Sequence, residues 1–187
     1  IGTINLLEYC RKNNIKKFIF TTTHSDTEEL WDKGVIIDES VRRKYKYTGD
    51  HAMYAISKAA AEDCIEHYSQ EYGIQGIILR LPAVYGYGPH WEIYRDGKYI
   101  KTGFKIFIEK ALRGEDIEVW GDPHKKRDYI YVKDVVNAII CAIKSKNARG
   151  LYNIASGKGL SLEEEVRGII DVFCPPGKKS KLIYKGF

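Results

Sequence analysis

Tyr54 and Lys58 stand four residues apart in Tyr54-Ala55-Ile56-Ser57-Lys58. On an α-helix that spacing sets a phenol and an ammonium on one face. A positive charge beside a phenol favours the phenolate and lowers the tyrosine pKa. The result is a base that works near neutral pH, where a free tyrosine stays protonated. With 14 tyrosines among 187 residues, such a pair is also an ordinary surface neighbour pair of modest stabilising value. What separates the two readings is the set of elements around it.

The pair opens a predicted helix from Ala52 to Tyr72, with Ala59-Ala60-Ala61 inside it and Gly73 as its C-cap. Ile56, Ala60 and Cys64 form its expected apolar stripe. Upstream, residues 1–13 read as a helix with Ile4, Leu7 and Cys10 on one stripe and Leu6 beside it, ended by Asn13-Asn14. Ile15 to Thr22 is an apolar run with β-branched ends, as expected of a strand covered on both faces. Gln75 to Leu81 is a second such strand, so the helix between them makes a parallel crossover. Ligands of parallel α/β sheets bind beyond the carboxyl ends of the strands, where Thr21-Thr22-Thr23 stands. Threonines also suit strand ends and turns for structural reasons alone.

Residues 24–51 read as a long polar loop, and loops of this length are often binding loops or lids. Residues 85–101 are rich in Tyr and Gly and carry Trp91, Tyr94 and Tyr99, which suits either a packed surface loop or a lid with aromatics for stacking. A helix is expected from Thr102 to Arg113, capped by Gly114, then a short strand from Ile117 to Trp120. A further helix runs from Val132 to Lys144, with Asp134 near its positive end, and Leu151 to Ala155 reads as a strand. Ser161 and Glu164 form a capping box for the last helix. After Cys174-Pro175-Pro176 the chain reads as basic and loop-like.

Composition bounds the function classes. The chain is 44% hydrophobic and 29% charged, the balance of a globular domain with a real core. No apolar run approaches the roughly 20 residues of a membrane helix, and no stretch resembles a signal peptide. Cys10, Cys64, Cys141 and Cys174 are far apart, which points to free thiols in a reducing, cytoplasmic setting. The five histidines show no metal-ligand spacing, so no metal is expected. The net charge of +5 gathers in short runs, Arg42-Arg43-Lys44 and Lys125-Lys126-Arg127 among them. These suit solvated faces or an anionic ligand. A basic module for RNA or DNA remains a minor alternative, because no recognised nucleic-acid motif accompanies the charge.

Lys16-Lys17-Phe18-Ile19-Phe20-Thr21-Thr22-Thr23, the Tyr54–Lys58 pair, Gly76-Ile77-Ile78-Leu79-Arg80-Leu81-Pro82-Ala83-Val84-Tyr85-Gly86 and Arg127-Asp128-Tyr129-Ile130-Tyr131-Val132-Lys133-Asp134 follow one another in order. The series resembles the extended short-chain dehydrogenase/reductase family, in particular its NAD-dependent nucleotide-sugar epimerases and dehydratases. The resemblance runs from residue 1 to about residue 172. It implies an α/β fold with part of a Rossmann-type parallel sheet and a smaller C-terminal substrate-binding region. Residues 1–84 would be the C-terminal half of the NAD(P)-binding domain. Residues 85–187 would be mostly substrate-binding, with some segments returning to the first domain.

The resemblance also implies roles. Tyr54 and Lys58 would be catalytic, with Thr23 holding the reacting oxygen and Thr22 as the alternative. The cofactor would be NAD, with NADP left open, and Thr22, Tyr54, Lys58, Pro82, Ala83 and Val84 would lie against it. Arg127 would bind the diphosphate of a nucleotide sugar, because a guanidinium fork matches phosphate oxygens two at a time. A homodimer through the helix of Tyr54 and the helix before the first strand is expected by analogy. Two places in the chain depart from the pattern. The sugar 4,6-dehydratases carry Asp-Glu as acid and base where His24-Ser25 stands, which argues against dehydration, with Asp26 or Glu28 nearby as the alternative carriers of that role. Many members carry Asn in place of Ala83. A glycine-rich dinucleotide turn (G-x-G-x-x-G) is absent from the sequence, so the chain is expected to be the middle and C-terminal part of such an enzyme. An NAD(P)-dependent epimerase, or a related oxidoreductase or dehydratase, acting on a nucleotide-activated sugar is the function implied for the parent protein, and a catalytically inactive fragment is the alternative for this chain.

Overall fold

A computed structural model of the chain describes residues 1–31, 33–49, 51–88, 91–95 and 97–186. In chain order its elements are α1 (Gly2–Lys12), β1 (Lys17–Thr23), a 3-10 segment (His24–Leu30), α2 (Ala52–Tyr72), β2 (Gln75–Leu81), β3 (Ala83–Tyr85), β4 (Glu92–Arg95) and β5 (Lys98–Lys101). They continue with α3 (Gly103–Arg113), β6 (Ile117–Trp120), β7 (Lys126–Tyr131), α4 (Val132–Lys144), β8 (Gly150–Asn153), β9 (Gly159–Ser161), α5 (Leu162–Phe173) and β10 (Leu182–Lys185). The chain divides into two units, Ile1–Tyr85 with Tyr129–Gly157, and Gly86–Asp128 with Lys158–Phe187.

The first unit is built on a parallel sheet in the order β1-β2-β8. Alternate residues of β2 face opposite ways. Ile78 packs with Leu7 of α1 and Ile65 of α2, beside Phe18 and Phe20. Ile77 and Leu79 pack with Ala142 of α4, beside Ile19. Helices therefore cover both faces, which is why the strands read as nearly continuous apolar runs. A side chain at Gly76 would run into Ser69 Oγ and Ile65 Cγ2, so glycine lets α2 lie close on the sheet. Lys17 Nζ donates to the carbonyls of Ala142, Ile143 and Ser145, placing a cation at the negative end of α4. β3 extends this unit by pairing in parallel with residues 129–131 of β7.

The second unit has a separate apolar core. Ile108 and Ala111 of α3, Ile117 and Val119 of β6, and Val166, Ile169 and Ile170 of α5 form it. β6 pairs in parallel with β10, and residues 126–128 of β7 pair antiparallel with β9. The Ser161–Glu164 capping box starts α5 as expected, with both reciprocal bonds present. Gly114 ends α3 in the left-handed region at φ 61°.

The α/β class and the parallel crossover follow the expectation, and α2, β2, β6 and α4 span the expected residues. Five details differ. β1 begins at Lys17, because Ile15 N still closes the helix end on Cys10 O at 2.9 Å, and it runs on to Thr23. Residues 24–51 open with a 3-10 segment, against which residue 44 pairs through its backbone: Lys44 N to Asp26 O at 2.7 Å and Glu29 N to Lys44 O at 2.9 Å. Within the stretch read as a Tyr- and Gly-rich loop, β4 and β5 pair antiparallel, and within the basic C-terminal stretch residues 182–185 form β10. The buried face of α2 is Ala52, Ala55, Ala59, Glu62 and Ile65 with Ala61, whereas Ala60 of the expected stripe is exposed. A charged residue inside and alanines all round blur the hydrophobic period there.

Candidate functional site

Tyr54, Lys58 and Glu62 follow one another at four-residue steps along α2, and each step meets a deeper environment. Tyr54 is about half exposed, Lys58 is partly buried and Glu62 is buried. Lys58 Nζ donates to Thr21 O at 2.8 Å, across to the carboxyl end of β1. It lies 4.6 Å from the centre of the Phe20 ring and 5.9 Å from that of Tyr54. The helix thus carries the ammonium to the strand end and holds it beside the phenol. Burial lowers the Lys58 pKa, and the charge of Glu62 works against that lowering.

Thr22 and Thr23 are both buried at the end of β1. Alternation sends them to different partners. Thr22 donates its hydroxyl to Glu62 Oε1. Thr23 donates to Ser25 Oγ at 3.1 Å and accepts from Ser25 N at 3.2 Å, which caps the 3-10 segment. Pro82 follows β2, and Ala83 and Val84 are exposed residues of β3, in register with Tyr129 and Ile130 of β7. The fold therefore brings Thr22, Thr23 and Lys58 together at the end of β1, with Tyr54 on the same helix face as Lys58. Arg127 belongs to the second unit, half-buried on β7 opposite Leu160 of β9, with Nη1 donating to Lys126 O at 2.8 Å.

A buried charged layer lies beneath the threonines. Asp26 and Arg80 form an ion pair at 2.7 Å, with side-chain exposures of 0% and 3%. Arg80 also donates to Asn153 Oδ1 at 3.3 Å, in the row where Thr22, Arg80 and Asn153 are in register across the sheet. Arg43 reaches in from the segment after the 3-10 turn. It donates to Ala59 O at 2.7 Å, pairs with Asp63 and lies 4.0 Å from Glu62 Oε2. Burial pushes the carboxyls of Asp26 and Glu62 above their ordinary values; Arg80 pulls Asp26 back down, and the Thr22 hydroxyl does the same for Glu62. Glu39 and Ile37 from the same polar segment hold Asn153, through Asn153 N to Glu39 Oε1 at 2.8 Å and Nδ2 to Ile37 O at 2.9 Å.

Glu62, Arg43 and the Asp26–Arg80 pair are parts of this site that sequence reasoning did not assign. One signal was present. Arg80 interrupts an otherwise apolar strand, and a charge in a strand covered on both faces must find a buried partner.

The family model for the NAD dependent epimerase/dehydratase family matches residues 1–155. The chain belongs to the NAD-dependent epimerase/dehydratase family. A putative UDP-glucose 4-epimerase of Methanocaldococcus jannaschii is 32% identical over 169 residues, covering 88% of this chain and 49% of that protein. The solved UDP-N-acetylglucosamine 4-epimerase of Bacillus cereus superposes with a TM-score of 0.80 at 27% identity, covering 98% of this chain and 57% of that one. The UDP-glucose 4-epimerase of Thermus thermophilus, solved in complex with NAD, superposes with a TM-score of 0.73 at 29% identity, covering 99% of this chain and 56% of that one. The chain spans about half the length of the curated relatives it matches.

Proposed function

We propose that this chain carries the proton-transfer and substrate-binding residues of an NAD-dependent epimerase acting on a nucleotide-activated sugar. The observation behind this reading is the anchoring of Lys58 on Thr21 O beside the Tyr54 ring, at the carboxyl end of a parallel sheet. The donor set suits the nicotinamide ribose end of NAD: a partly buried ammonium and a half-exposed phenol on one helix face, with Thr22, Pro82, Ala83 and Val84 at the neighbouring strand ends. A glycine-rich turn for the pyrophosphate is absent from these 187 residues, so no residue here is assigned to that group. The chemistry that NAD supplies in such a site is reversible hydride transfer.

Tyr54 takes the proton from the sugar hydroxyl as it becomes a ketone, and returns it in the reverse step. The Lys58 ammonium offsets the negative charge on the phenol oxygen while it is deprotonated. Thr23 turns its hydroxyl to the reacting oxygen, giving up its bond to Ser25. Arg127 takes the diphosphate through its fork. Epimerisation is favoured over dehydration because the groups just after Thr23 are already engaged. Of the carboxyls there, Asp26 is closed off against Arg80 and Glu28 pairs with Lys46 at 3.2 Å. The names of the relatives, 4-epimerases of UDP-glucose and UDP-N-acetylglucosamine, support the same class.

The test uses the whole protein with NAD, assayed on UDP-glucose and UDP-N-acetylglucosamine. Tyr54→Phe is expected to lower kcat by about 10²–10⁴-fold, the usual worth of a positioned acid–base group. A Tyr54→Phe enzyme with unaltered kcat sinks the reading.

A further inference from the structure

Two bonds tie successive residues of β1 to successive turns of α2. The Thr21 carbonyl takes Lys58 Nζ at 2.8 Å, and the Thr22 hydroxyl is donated to Glu62. The acid–base reading uses the first and leaves the second without a role. A carboxyl with only 6% of its residue surface exposed is costly to keep unless it is satisfied or put to use. Glu62 is satisfied by Thr22 on one oxygen, with the Arg43 guanidinium 4.0 Å from the other. Both contacts favour the carboxylate. It stands one turn along α2 from Lys58, the spacing at which two side chains share a face.

We propose that Glu62 is the positioning residue of the Tyr54–Lys58 pair: its carboxylate holds α2 to the end of β1 through Thr22, and its charge, one helical turn from Lys58, stabilises the ammonium there. The consequence for turnover rests on the acid–base reading above, whereas the effect on Lys58 itself does not. The charged and polar groups facing Glu62 come from every element packed on it: Thr22 of β1, Asp26 of the 3-10 segment, Arg80 of β2, Arg43 of the segment after the 3-10 turn, and Lys58 of its own helix. Lys58 faces the Phe20 ring and the Thr21 carbonyl of β1, with Tyr54 and Glu62 on α2. Burial disfavours its ammonium, and Glu62 is the charge that works against this. Arg43 and Arg80 serve Glu62 in turn by drawing its proton off.

The deciding experiment reads Lys58 directly. Acylation of Lys58 by acetic anhydride is followed against pH by mass spectrometry in the whole protein, without substrate, for wild type and Glu62→Gln. Glutamine keeps the shape and the acceptor for Thr22 but removes the charge. The titration midpoint of Lys58 is expected to fall by about one pH unit in Glu62→Gln, and the alkaline limb of the kcat profile to fall with it. An unchanged midpoint overturns the proposal, whatever the enzyme turns over. Thr22→Val tests the other half and preserves a test should Glu62→Gln not fold. It leaves the charge and removes the clamp, so the Lys58 midpoint is expected to stay while kcat falls about ten-fold with little change in KM. Wild-type kcat in Thr22→Val overturns the clamp. A fully active Tyr54→Phe enzyme would sink the acid–base reading and leave the Lys58 titration standing, so the two failures are distinguishable.

Discussion

Asp26, Glu62 and Arg80 are closed off from solvent in the first unit, among buried Thr22, Thr23, Ser25 and Thr27. In the second unit the buried core is Ile108, Ala111, Ile117, Val119, Val166, Ile169 and Ile170. Its buried polar residues among those described are Ser161, an N-cap, and Ser180, bonded to Cys174 Sγ. Both units solve the same packing problem, and an apolar core solves it without ions. Replacing a buried ion pair by apolar groups is often neutral or stabilising. The charges of the first unit are therefore not explained by stability. They gather at the carboxyl end of β1 and β2, around the residues that hold Lys58 and Thr23, which is where placement of single atoms matters most.

Breaking the charged layer should have the largest effect. Arg80→Ala leaves Asp26 buried without its partner, and is expected to destabilise the protein by about 3–5 kcal/mol in urea unfolding. Arg80→Ala with Asp26→Ala should recover a large part of that loss. A single-variant loss under about 1 kcal/mol would mean that water already reaches Asp26, and the contrast between the units would fail.

A second way to sharpen the contrast is pH. Burial raises the folded-state pKa values of Asp26 and Glu62 above the ordinary carboxyl range. A group of this kind binds its proton more tightly when folded. Its stabilising contribution is fully present below the unfolded values of 3.8 and 4.5, and is lost as pH rises through the raised folded values. The carboxyls of Asp38, Glu109, Glu115 and Glu164 are lowered by hydrogen bonds and act in the opposite sense, losing their contribution as pH falls. Wild type minus Asp26→Asn isolates the buried term. Asp26→Asn should lose the part of the stability that declines as pH rises from about 4 towards 7. Identical pH slopes, measured by thermal melts, would show that Asp26 titrates normally.

The smallest effect belongs to the second unit. Ser161→Ala removes the hydroxyl that accepts Glu164 N, and with it half of the capping box of α5. A loss of about 1 kcal/mol is expected, with the pH slope above about 6 unchanged, because the Glu164 carboxyl that the Ser161 hydroxyl helps to lower titrates below that. A larger loss, or one that varies with pH in that window, would give the second unit the polar sensitivity that its core composition denies it.

Local physics made much of the fold legible. Gln75 to Leu81 reads as a strand because it is a short apolar run ended by Pro82, and α2 ends at Gly73 because only a residue tolerant of φ 68° closes a helix that way. β10 was not legible. Leu182, Ile183 and Tyr184 are three apolar residues between lysines, and they become a strand because β6, far earlier in the chain, offers a pairing edge. The pairing of β4 with β5 is a different case, because its signal is local. Asp96-Gly97 stands between Glu92–Arg95 and Lys98–Lys101 in the sequence, and Asp-Gly between two short runs is a hairpin signal. Reading the stretch by its Tyr and Gly content hid that dipeptide.

Spacing along the chain is enough to put Tyr54, Lys58 and Glu62 on one helix face, since 3.6 residues per turn is a property of the backbone. It is also enough to mark Thr21-Thr22-Thr23 as a strand end. Which hydroxyl meets which partner is decided only when β1 lies against α2, because strand alternation sends Thr22 to Glu62 and leaves Thr23 to Ser25. The partners of Arg80 and Lys58 are likewise 54 and 37 residues away in the chain. A buried charge selects its partner by desolvation and distance in the folded molecule, and neither quantity is written in the local sequence.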